Sequence, residues 1–78
     1  MDPVAEIRSA LGEEDPITSM RTLAINLAGR GLSQAAVEGA FGVVASELYE
    51  SGREEEAGWV VEVMDMMGEW YANGKPID

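Results

Sequence analysis

Residues 33–74 read SQAAVEGAFGVVASELYESGREEEAGWVVEVMDMMGEWYANG, and they hold the longest periodic apolar pattern in the chain. Val37, Ala40, Phe41, Val44 and Leu48 recur three or four residues apart, the period of a helix with one apolar stripe. Ser33 is a good N-cap, and Leu32 before it is placed to pack on Val37 as a hydrophobic staple. Ser51-Gly52 ends the segment, with Gly52 where a left-handed backbone is tolerated. A further helix starts near Arg53, where Glu54, Glu55 and Glu56 complement the positive end of the helix dipole. It runs through Tyr71 and closes at Asn73-Gly74, and Pro76 forbids continuation. A turn this short makes the two helices antiparallel neighbours.

Upstream, the same signals repeat in shorter form. Asp2 caps, Pro3 suits the first helical position, and Val4, Ile7 and Leu11 make a narrow stripe that Gly12 stops. Asp15 and Pro16 open another segment, with Ile17, Met20, Leu23, Ala24 and Leu27 on one side. It runs to Ala28 before Gly29-Arg30-Gly31 breaks it. No stretch alternates as a strand would. The spacing predicts an all-α fold, one domain over residues 1–78. It is a four-helix up-down bundle with a short first helix and a long hairpin of the third and fourth.

Composition narrows the classes. A 78-residue chain buries only roughly 60–65% of its unfolded surface, so its stability margin is thin. It has no Cys, which removes disulfides and thiolate chemistry. Hydrophobic content of 46% excludes a disordered acidic tail. No run approaches the roughly 20 apolar residues needed to span a bilayer. Met1-Asp2-Pro3 carries no basic region and no apolar core of a secretory signal, so a cytoplasmic location is expected. Fifteen Asp and Glu against five Lys and Arg give a net charge of −10. That balance disfavours nucleic acid and anionic membranes as partners, and leaves a basic protein as one that fits.

Two features exceed what a small monomer needs. The fourth segment carries two adjacent stripes, Ala57, Val60, Met64, Met67 and Tyr71 beside Trp59, Val63, Met66 and Trp70. Only the Glu55, Glu62, Asp65, Glu69 face is clearly polar, and it is expected to be a solvated surface. The third segment sets Ala35, Gly39, Gly42 and Ser46 as a smooth ridge opposite its bulky stripe. Each interior Gly costs roughly 0.8–1 kcal/mol relative to Ala, so two of them suggest close approach of another backbone. Together these predict a homodimer in which Trp59, Val63, Met66 and Trp70 meet the ridge of Ala35, Gly39, Gly42 and Ser46.

Catalytic chemistry is sparse. There is no His and no Cys, and the Ser residues outside caps and turns have no candidate base. Glu62, Asp65 and Glu69 share a face, and Glu62-Val-Met-Asp65 resembles the second motif of the all-helical nucleotide pyrophosphohydrolases. The resemblance implies a magnesium-dependent hydrolase whose carboxylate site would be completed across a dimer. The family's Glu-Glu-x-x-Glu motif is absent, because Glu54-Glu55-Glu56 is followed by Ala57 and Gly58, and one helix face supplies too few oxygens for a hard cation. Gly31-Leu32-Ser33 with Val37 and Ala40 resembles the turn and second helix of a helix-turn-helix reader. That resemblance implies a regulator, here a degenerate one, since the would-be recognition helix offers Gln34 and Glu38 and no basic residue. Neither covers more than a short segment. The reading is therefore of a non-enzymatic protein-interaction module with no catalytic, cofactor-binding or metal-ligating residues. A small acidic inhibitor of the immunity type, or an adaptor, acting as a homodimer is the concrete form, by analogy of size and charge.

Overall fold

The computed structural model describes residues 2–72, with side chains described through Glu69. It holds four helices, α1 (Pro3–Leu11), α2 (Pro16–Gly29), α3 (Gln34–Glu50) and α4 (Glu54–Ala72), and no strand among the described residues. The bundle measures 35 × 24 × 23 Å. The expected closure at Asn73-Gly74 and Pro76 lies outside the described residues.

Local chemistry sets the boundaries. The Asp2 carboxylate accepts from the Val4 N–H (3.1 Å), Asp15 from Thr18 (3.3 Å) and the Ser33 hydroxyl from Ala36 (3.2 Å). Each cap satisfies one of the donors that a helix start leaves unpaired. Pro3 and Pro16 stand at the first helical positions. α2 and α3 end alike. Gly31 and Gly52 take φ of 93° and 77°. The N–H of Leu32 then reaches back to the Leu27 carbonyl, and that of Arg53 to Leu48. These are Schellman closures, and they return the chain sharply into the next helix.

The helices do not pair simply in chain order. α3 packs closely on α4, α1 on both α2 and α3, and α2 on α4, while consecutive α2 and α3 touch only slightly. Two helix pairs, α1–α2 and α3–α4, are thus laid against each other, and α2 rather than α1 covers the far flank of α4. Phe41, Ile7, Met20, Leu27, Met67, Val37, Val44, Val60 and Val63 are fully buried, and no polar side chain is buried among the described residues.

That arrangement corrects one expectation. Val63 is fully buried in the intrachain core and is unavailable for a second contact. At about 100° per residue it stands only about 40° from Met67 around α4, inside the arc that α2 and α3 close over. Trp59 and Met66 are half-buried and pack against the same core. The Trp70 side chain lies outside the described residues.

Phe41→Ala should destabilise the fold by about 3–5 kcal/mol, and Gly52→Ala by about 1–2 kcal/mol through its left-handed backbone. Glu62→Gln, on the exposed face of α4, should stay within about 0.5 kcal/mol. Urea titrations followed by circular dichroism check all three.

Candidate interaction surfaces

Four features of the surface bear on function. The first is the outer side of the α3–α4 hairpin. Ala35, Gly39 and Ser46 are exposed and Gly42 is half-buried. A Cβ built on Gly39 meets nothing within 4 Å, and one on Gly42 just reaches the Met64 methyl at 4.0 Å. Among the described residues no neighbouring helix therefore uses the smoothness at Gly39. Val43 (47% exposed) and Val61 (38%) add apolar surface. From Gly39 to Ser46 there is no charged residue.

The second is the flank of α4 bearing Trp59 and Met66. Met64, which neighbours the ridge, stands about 140° around α4 from Trp59. The ridge and the tryptophan stripe thus occupy different sides of one molecule. The third is the row Glu55, Glu62, Asp65 and Glu69, all exposed. Among the described residues no three acidic side chains converge as metal ligands would.

The fourth feature is a cleft of about 520 Å³ where α1 and α3 end and α4 begins. Leu11, Val44 and Leu48 contribute its apolar lining. Arg8 donates from Nε and Nη2 to Glu47 (3.1 and 2.5 Å), linking α1 to α3. Arg53 makes the same two-pronged bond to Glu56, with the Nε contact at 2.6 Å. Glu50 also lines the cleft, and no hydrogen bond or ion pair engages it among the described residues. Sequence spacing signals the Arg53–Glu56 pair, three residues apart across the start of α4. Nothing in the sequence signals Arg8 with Glu47, which are 39 residues apart and meet only when three helix ends converge.

Elsewhere Arg30 pairs with Glu6 at 3.2 Å, tying the end of α2 to α1. The Arg21 Nε is buried without an acceptor. No helix of the described residues is long and apolar enough to cross a membrane. Compared with known protein families, with characterised proteins and with solved structures, the chain matches none.

The Arg53 guanidinium holds the Glu56 carboxyl below its ordinary value of 4.5, chiefly through their hydrogen bonds. Glu47 and Glu56 in turn raise Arg8 and Arg53. For Glu56 the folded value lies below the unfolded one. Its contribution is therefore complete above pH 4.5 and is lost as pH falls through the lower folded value. In a carboxyl NMR titration Glu56 should have its midpoint below 4.5, and Arg53→Gln should return it to the ordinary value.

Proposed function

We propose that this chain is a non-enzymatic protein-interaction module, an up-down helical bundle that works as a homodimer through the outer side of its α3–α4 hairpin. The observation that carries this reading is Gly39, an interior helical glycine with open space where a side chain would stand. Together with Gly42 it weakens α3 by roughly 2 kcal/mol relative to alanine, in a domain whose whole margin is small. A second backbone lying in the groove of Ala35, Gly39, Gly42 and Ser46 offsets that loss through close packing. Val43 and Val61 supply the apolar rim. The same patch on both copies suits a two-fold contact, which needs a surface that meets itself.

Trp59 and Met66, half-buried and packed against the intrachain core, take no part in that contact. The remaining surface is acidic, and the net charge of −10 steers a basic protein partner toward the dimer, as in inhibitors of the immunity type.

Light scattering at micromolar concentration should give about twice the chain mass of 8.4 kDa, tightening as salt rises because like charges are screened. Gly39→Leu should yield a folded monomer. Gly39→Ala tests the glycine itself: it should raise the stability of the isolated subunit by roughly 1 kcal/mol yet loosen the dimer. A wild-type monomer at high micromolar concentration, or an alanine variant that associates as tightly as wild type, would overturn the reading.

A further inference from the structure

We propose that the cleft between the ends of α1 and α3 and the start of α4 is an anchor site for an arginine side chain presented by a protein partner. This rests on the reading of the chain as an interaction module, and names the contact that a basic partner would make.

The cleft of about 520 Å³ falls within the range of side-chain and small-ligand sites. Leu11, Val44 and Leu48 form its floor, of which Leu11 and Leu48 leave only small apolar edges for an aliphatic stem. Its charges are Arg8 and Arg53 against Glu47, Glu50 and Glu56, so one carboxylate is in excess. An incoming anion would have to compete with Glu47 or Glu56, each tethered in place on its guanidinium, and to enter against the field of a chain of charge −10.

A cation displaces nothing. Glu50 is unengaged, and Glu47 and Glu56 each keep acceptor sites beyond the two bonds they already make, since a carboxylate offers about four. The C-terminal ends of α1 and α3 bring two negative dipole poles to the cleft against the one positive pole of the start of α4, and α3 has no basic residue in its last turn. The planar guanidinium fits this set better than an ammonium, because it bonds several carboxylate oxygens at fixed angles.

The test is a titration of the full-length ¹⁵N-labelled protein with a capped Gly-Arg-Gly tripeptide at about 150 mM salt, where diffuse attraction is screened. Capped Gly-Glu-Gly and Gly-Lys-Gly serve as comparators. The expected result is saturable shifts confined to the amides of Leu11, Gly12, Ser51, Gly52 and Arg53. Glu50→Gln should weaken arginine binding at least threefold, Glu14→Gln should leave it unchanged, and the lysine peptide should bind several-fold more weakly.

Shifts that fail to saturate, or that spread along Glu55, Glu62 and Glu69, would make arginine a mere counter-ion and overturn the proposal. So would saturable binding of the glutamate peptide, lysine binding equal to arginine, or indifference to Glu50→Gln. Light scattering on the same samples separates the two readings: an intact dimer without arginine binding sinks the anchor site alone.

Discussion

The row Phe41, Val44 and Leu48 on α3 has to be covered from two directions at once, by α1 on one side and α4 on the other. Every other packing choice follows from that demand. The core has no disulfide and no buried polar side chain among the described residues to fix its register. Shape and chain reversals must do it instead. The two left-handed glycines, Gly31 and Gly52, set where α2 and α3 stop. A few residues of slippage there would carry Phe41 out of the cluster it shares with Met67 and Val60. A bundle of this kind is specified as much by its turns as by its core, because apolar side chains tolerate repacking while a helix end with unpaired carbonyls does not.

Helix positions were legible because their signals are local. Asp-Pro at two starts, Ser33 at a third and glycines at two ends each act within one turn of helix, where no distant residue overrides them. The covering of α4 was not legible for the opposite reason. Read alone, the Trp59, Val63, Met66 and Trp70 stripe is a surplus beyond what one neighbour hides. Val63 is nevertheless buried, because α2 returns to α4 across the bundle while barely touching α3. Which helix lies over which flank depends on the angle at which Gly31 relaunches the chain, and periodicity carries no record of that angle. The cleft was hidden in the same way: Arg8 lies on α1, Glu47 on α3 and Arg53 just before α4, and only Arg53 and Glu56 are close in sequence.

α3 divides its two sides unusually. Its inner side holds Phe41, the largest fully buried side chain among the described residues, and its outer side sets Ala35, Gly39, Gly42 and Ser46 between the exposed Val43 and Tyr49. A helix bearing two interior glycines loses intrinsic propensity that packing must restore, and for an isolated bundle only the inner side can do so. Replacing Gly39 by alanine meets no steric obstacle within the chain, and Gly42 meets only the end of a flexible methionine. Among the described residues, the intrachain packing therefore requires neither glycine.

Net charge and self-association pull against each other in such a dimer, and geometry decides which prevails. At physiological salt, exposed charges further apart than about 8 Å are largely screened. Repulsion between two copies then depends less on their total charge than on how near carboxylates come to one another at the contact. The stretch from Gly39 to Ser46 has no charge of its own, and the closest acidic positions along α3, Glu38, Glu47 and Glu50, lie before or beyond it. About 100° per residue places Glu47 some 80° around the helix from Gly39, but Glu38 only about 40° from Gly42 and Glu50 about 20° from Gly39, one turn beyond Ser46. Two copies meeting along the glycine face would therefore hold Glu38 and Glu50 at the two ends of the contact, where like charges cost little only while water reaches them. The same screening confines the attraction of a basic partner to short range, so a cation is held only where carboxylates and apolar surface coincide. The junction of α1, α3 and α4 gathers Glu47, Glu50 and Glu56 from two helices around one cleft, whereas Glu55, Glu62, Asp65 and Glu69 run along a single exposed helix face.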